Sequence, residues 1–241
     1  GKRLEIKAFL TAGLRVVFRD EKTGSRHEYK HDGGIGDLLA KLVKDGGEPA
    51  VHTDVIRLKS TGSGADTQID VAMQWTESTR EQIEPFANGI PTPHGGTHEA
   101  GVRDGVRAAM MNYLEAHDAI PRGVEIKPAD IREGLTCAVS VFLADPQFQG
   151  QTKDKLNNPE IRNLVGSLVR QDVEAYMHTH QSTGNSVAMR IIQAARARAA
   201  SRSAVQKVKR KKGPGHRLNL PGKLADCSSA DNDETELFIV E

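Results

Sequence analysis

A chain of 241 residues with a formal net charge of +1 has room for one large domain, or for a domain with part of a neighbour. Hydrophobic residues make up 37% and charged residues 27%, as in ordinary globular proteins, and aromatics at 4% leave the core to aliphatic side chains. Cys137 and Cys227 form no CxxC pair, no apolar run reaches bilayer length and no signal-peptide core follows Gly1, so a soluble intracellular chain without disulfides is expected.

Residues 1–8 read as the end of a helix. Leu14–Arg19 and Arg26–His31 read as strands joined by a turn at Lys22-Thr23-Gly24-Ser25. After Gly33-Gly34, Ile35, Leu38, Leu39, Leu42 and Val43 fall on one helical stripe, which Gly46-Gly47 closes. Val55–Lys59 and Gln68–Trp75 form an expected antiparallel pair, the second with Ile69, Val71, Met73 and Trp75 on its buried face. Gln82–Phe86 is a third strand segment, leading into a loop rich in Gly, Pro and His. Thr97 is the expected N-cap of a helix that carries Val102, Val106, Ala109, Met110, Tyr113 and Leu114 on one side. Pro128 starts a short helical turn, and Leu135–Leu143 alternates as the strongest strand in the chain. Asn158 and Pro159 start a long helix with Ile161, Leu164, Val165, Leu168, Val169 and Val173 inward. Gly184 is expected to interrupt it, a second long helix to run from about Ser186 to a break at Gly213-Pro214-Gly215, and Leu237–Val240 to form a short strand. This order predicts an α+β fold, a mixed sheet with helices on one face.

The small net charge hides an asymmetry. Residues 175–225 hold eleven Lys and Arg and no Asp or Glu, whereas residues 226–241 hold six acids and no base. The basic block is either the footprint of a polyanionic partner or a solvated helix face.

The loop Gln147–Asn158 sits between a buried strand and a long helix and carries Gln151, Thr152 and Lys153. A lysine there is a point charge on a flexible stem, suited to a terminal phosphate, and a glutamine beside it offers amide donors. Gly150 allows close backbone approach. His94 and His98, spaced i, i+4, have no third ligand nearby, and loop packing is the expected role.

Ile131–Thr136 (IREGLT) followed by DPQFQGQTKDKLNNPE is similar to the corresponding run of bacterial type IIA DNA topoisomerase ATPase subunits, the gyrase B or topoisomerase IV type. The upstream loop Asn88–Glu99 (NGIPTPHGGTHE) resembles the same family's GGTHE segment. LPGKLADC at Leu220–Cys227 and ELFIVE at Glu236–Glu241 resemble the start of its Toprim domain. These four motifs stand in the family's order and cover most of the chain.

The resemblance implies the end of a GHKL ATPase domain at residues 1–11 and a ribosomal-protein-S5-like transducer at 12–184. A basic helix and linker at 185–217 and a Toprim stub at 218–241 would follow. It implies that Gln151 and Lys153 touch the γ-phosphate of ATP held in the neighbouring ATPase domain. Glu241 would be the Toprim acid, serving DNA cleavage and holding Mg2+ only with further acids beyond it. Arg196, Arg198, Arg202, Lys207, Lys209, Arg210, Lys211 and Lys212 would lie against DNA. The implied cofactors are ATP and Mg2+. The implied partners are double-stranded DNA, a DNA-cleaving A-type subunit with the tyrosine nucleophile in a heterotetramer, and a second copy joined in response to ATP. The implied setting is the bacterial cytoplasm, with the chromosome and without a membrane. The parent would be an ATP-hydrolysing topoisomerase, an isomerase, and this chain a piece inactive alone. The rival expectation is a stand-alone basic nucleic-acid-binding module of similar fold; a small-molecule kinase ranks last for want of a glycine-rich phosphate cradle.

Overall fold

The computed structural model describes residues 2–61 and 67–211. In chain order these form α1 (Lys2–Leu10), β1 (Arg15–Arg19), β2 (Arg26–Lys30), α2 (Ile35–Gly46), β3 (Ile56–Thr61), β4 (Thr67–Trp75), β5 (Gln82–Ala87), β6 (Ile90–Pro91), α3 (Thr97–Ala116), α4 (Pro128–Arg132), β7 (Leu135–Leu143), α5 (Pro159–Thr179) and α6 (Gln181–Lys211). Residues 1–195 form one compact unit and residues 196–241 a second, whose described part is the end of α6. The expected linker, Toprim stub and Leu237–Val240 strand, with Lys212 and Glu241, lie outside the described residues, as do the side chains of Lys207, Lys209, Arg210 and Lys211.

β1 and β2 make a separate hairpin, tied across its exposed face by Arg15 and Glu28 at 2.6 Å. The main sheet has the order β3-β4-β7-β5-β6, antiparallel throughout except where β5 runs parallel to β7. Alternation sets its inner face. Ile69, Val71, Met73 and Trp75 of β4 stand beside Leu135, Cys137, Val139 and Val141 of β7, and all are buried under α3 and α5. Full burial of each such side chain contributes about 1.5–3 kcal/mol. The Trp75 indole N–H, which must find an acceptor once buried, donates to the Ile131 carbonyl of α4 at 3.0 Å.

The α+β class and the mixed sheet are as the sequence predicts, but helices cover both faces of the sheet. The apolar stripe of α2 lies on the second face, where Ile35, Leu38 and Leu39 pack with Phe9 of α1 against Ala72, Ala138 and Phe86. Small side chains at Ala72 and Ala138 leave room for that helix. Position 72 of β4 is therefore buried although the strand alternates, and Gln74 is buried with its side-chain amide donating to the His52 carbonyl at 2.6 Å.

α3 and α5 run parallel and in register over the inner face. A Cβ at Gly101 would sit 2.6 Å from the Arg162 carbonyl oxygen, and one at Gly105 would sit 2.7 Å from that of Gly166. The approach is too close for any side chain. Asp104 pairs with Arg162 at 2.8 Å and Asn112 donates to Glu174 at 3.0 Å along the same seam.

Two helix boundaries differ from expectation. The residue capping α3 is Gly96, with Thr97 the first helical residue. The long helices part at His180, not at Gly184, which lies inside α6. Gly184 answers a packing need, since a Cβ there would collide with the Tyr113 hydroxyl. α6 is further held by Arg190, whose Nη2 donates to Glu133 at 3.0 Å and to the Ser78 carbonyl at 2.9 Å.

Helix propensity alone would make Gly105→Ala stabilising by roughly 1 kcal/mol. The seam predicts the opposite sign, a loss of about 1–3 kcal/mol from overpacking, read as a lower urea midpoint.

Candidate nucleotide-contact loop

The segment between β7 and α5 is built on a fixed base. At the end of β7, Asn88 brackets Leu143: its Nδ2 donates to the Leu143 carbonyl and its Oδ1 accepts the Leu143 N–H, both at 2.8 Å. At the start of α5, Asn158 is buried, and its side chain serves the loop rather than the helix amides. Its Oδ1 accepts the Gln147 N–H at 2.7 Å, and its Nδ2 donates to the Asp145 carbonyl at 3.1 Å and to Glu160 at 2.8 Å. Pro159 then fixes the first helical φ.

Between these anchors the loop folds back on itself. The Gln149 N–H donates to the Lys155 carbonyl at 2.9 Å and the Asn157 N–H to the Gln147 carbonyl at 2.8 Å. Leu156 is fully buried and bridges Phe148 on one side and Gly96 on the other. Its N–H donates to the Gly95 carbonyl at 3.2 Å, and its own carbonyl accepts the Thr97 N–H at 3.1 Å. Gly96 has φ 146°, and a Cβ there would run into the Leu156 oxygen, so no other residue fits. The GGTHE segment thus clamps the loop from behind, and the His94 N–H adds a bond to the Asp154 carbonyl at 3.0 Å.

Leu156 and Asn158 are the buried residues of the loop, and the tip, Gly150 to Lys153, is exposed at every position. Gly150 has φ 75° and Lys153 φ 59°, a left-handed conformation that costs a lysine roughly 1–2 kcal/mol. Gln151, Thr152 and Lys153 are exposed, with the Lys153 ammonium 5.7 Å above the Phe148 ring. The tip therefore presents an amide donor and a cation, from a rigid base, to whatever anion meets it. That donor set suits phosphate oxygens.

The other candidates separate. His98 is buried in the first turn of α3 and His94 is exposed, so the pair does not converge. The Thr92 hydroxyl donates to the Pro85 carbonyl at 3.1 Å, so His98 Nε2, 3.1 Å from that hydroxyl oxygen, carries the proton and donates to it. Nδ1 is buried without a partner, and burial holds the imidazole down to about 4. Among the described residues no group of three or more His, Cys, Asp or Glu is placed to hold a metal. In α6, Arg196 and Arg202 are exposed and Arg198 is half-buried; Arg198 and Arg202, four apart, share a face. Sequence reasoning missed the parts played by Asn88, Gly96, Leu156 and Asn158. The Asn-Asn-Pro run before α5 was their one local signal.

The family model described as DNA gyrase B matches residues 34–207. The chain is 37% identical to the DNA gyrase B protein of Haloferax lucentense over 99% of this chain and 37% of that protein. It is likewise 37% identical to the DNA gyrase B protein of Thermotoga maritima, over 99% of this chain and 38% of that protein. It thus spans a little over a third of the length of these relatives. Among solved structures, it is similar to the ATPase domain of Thermus thermophilus gyrase B in complex with an aminocoumarin. There the TM-score is 0.75 and the identity 29%, over 85% of this chain and 54% of that one.

His98 generates a pH dependence. Its folded value is about 4 against an ordinary 6.5, so between these the unfolded chain takes up a proton that the folded chain refuses. Stability is full above pH 6.5 and falls as the pH drops toward 4, by about 3 kcal/mol. Urea midpoints across that range should fall less steeply for His98→Gln than for the unaltered chain.

Proposed function

The chain belongs to the DNA gyrase B family, and on that premise we propose that it couples ATP binding to DNA strand passage in an ATP-dependent type II DNA topoisomerase. The observation that carries the proposal is the exposed tip with Gln151 and Lys153 on a clamped base. ATP bound in a partner ATPase domain supplies a terminal phosphate that ADP lacks. Gln151 donates an amide N–H to its oxygens and Lys153 places a positive charge beside them. A contact made in only one nucleotide state shifts a domain equilibrium by the difference in affinity. One charge-assisted hydrogen bond, about 1.5–3 kcal/mol, corresponds to ten-fold or more. Because the loop is bonded to Gly95 and Thr97 on one side and to Asn158 on the other, a pull on its tip is borne by the starts of α3 and α5 together.

The basic stretch Arg196, Arg198, Arg202, Lys207, Lys209, Arg210, Lys211 and Lys212 is proposed to neutralise phosphates of double-stranded DNA. Glu241, outside the described residues, is proposed as an Mg2+ ligand only together with further acids. The working assembly in this reading joins two copies in response to ATP, with a DNA-cleaving A-type subunit, in the bacterial cytoplasm. No helix among the described residues is long and apolar enough to cross a membrane. The family match takes in the Gln151–Lys153 loop, which favours this reading over a stand-alone nucleic-acid-binding module.

The test compares dimerisation driven by a non-hydrolysable ATP analogue in the ATPase-bearing protein and in its Lys153→Ala and Gln151→Ala variants. Each should need about ten-fold more analogue or worse, with ADP affinity unchanged; equal dimerisation would overturn the proposal. For the basic helix, replacing Arg196, Arg198 and Arg202 with Gln should flatten the plot of log duplex affinity against log salt by about 3. A slope unaltered by the triple change would remove these residues from the DNA contact.

A further inference from the structure

Two imidazoles 61 positions apart meet at the end of the α3–α5 pair remote from the Gln151–Lys153 loop. His117 is the residue that closes α3, and His178 lies in the last turn of α5. His117 Nε2 stands 3.3 Å from His178 Nδ1, and both side chains are exposed. A tetrahedral zinc ion with Zn–N bonds near 2.0–2.1 Å holds its ligand nitrogens about 3.3–3.4 Å apart by simple trigonometry. The observed separation already equals one edge of that coordination sphere.

The rings are also held in place. Tyr113 packs against both, with ring centroids 4.4 Å from His117 and 5.3 Å from His178. Its own hydroxyl donates to Asn185 at 3.2 Å. The glycine seam fixes the register of the two helices and so brings positions 117 and 178 to the same end of the pair. A hydrogen-bonded proton lies on the line between the nitrogens, whereas a cation at bonding distance from both lies about 1.2 Å off it, so binding keeps the separation and turns each exposed ring to aim its lone pair at the ion.

We propose that His117 and His178 form a two-histidine site for a borderline divalent transition cation, Zn2+ or Cu2+, with water completing the coordination. Imidazole nitrogens favour these ions, Cu2+ above Zn2+, and give Mg2+ or Ca2+ no oxygen ligands. Among the described residues no third His, Cys, Asp or Glu joins the pair in a group placed to hold a metal, so the ion exchanges rather than staying as a permanent structural metal. Bound, it bridges the ends of α3 and α5 next to the helix break at His180 and stabilises only the folded arrangement. The site acts as a reversible clip on the junction from which α6 departs.

The 241-residue chain is titrated calorimetrically with Zn2+ near neutral pH in a buffer that does not chelate metal, and its melting temperature is followed in parallel. One ion per chain should bind and raise the melting temperature. His117→Gln and His178→Gln should each weaken binding about ten-fold or more and remove the thermal shift. His180→Gln, an exposed histidine stacked on Tyr176 instead, should change neither, and excess Mg2+ should not compete. Circular dichroism without metal establishes that each variant is folded. Absence of saturable binding below about 100 μM Zn2+, or binding that survives His178→Gln, overturns the site. So does equal loss on His180→Gln.

Discussion

The arrangement of this chain depends on how closely α3 and α5 approach. At Gly101 and Gly105 the backbone of one helix lies against that of the other with no space for a Cβ. Everything around the seam follows from that contact. The two helices become a single layer over β4 and β7, burying one continuous row of aliphatic side chains beneath them. They run parallel, so both N-termini fall at one end and both C-termini at the other. The N-terminal end is where Gly96 and Asn158 grip the loop, and the C-terminal end is where Tyr113 organises His117 and His178.

A paired rod of this kind carries displacement well. Helix ends fastened along a close-packed seam do not slide independently, because interiors at crystal-like density resist small shifts. The Gln151–Lys153 tip stands off the rod with few bonds of its own. Its base has at least one backbone bond to each neighbouring segment. An exposed tip on a bonded base suits the phosphate contact proposed above, because a load on the tip passes to the helix starts.

Much of this was legible in the residues. The period-two alternation of 135–143 and 69–75 marked the central strands, and the stripe from Ile161 to Val173 marked α5. The loop was located by Gln151, Thr152 and Lys153, and the structure exposes all three. What escaped belongs to pairs distant in sequence. Gly184 reads locally as a helix breaker, but it is there for Tyr113, 71 positions earlier, and the break falls at His180. Ala72 reads as the outer face of a half-exposed strand, but α2 covers it, and Gln74 beside it is buried against the His52 carbonyl. Asn158 reads as a helix cap, but its side chain is spent on Asp145 and Gln147. In each case local propensity was overruled by a contact no short window contains.

The strand order has a kinetic side as well. Among the described residues β7 is the last strand of the main sheet in chain order, yet it occupies the centre, between β4 and β5. The β3–β4 hairpin is local and can form early; β5 and β7 pair in parallel only after α3 and α4 have crossed between them. Loop-closure entropy must be met before that central pairing returns any energy. The segment with Gln151 and Lys153 hangs from the end of this latest strand, so its geometry cannot exist ahead of the finished sheet. During synthesis, the loop proposed to meet a nucleotide is therefore among the last features to take shape, and a nascent chain halted before β7 lacks it.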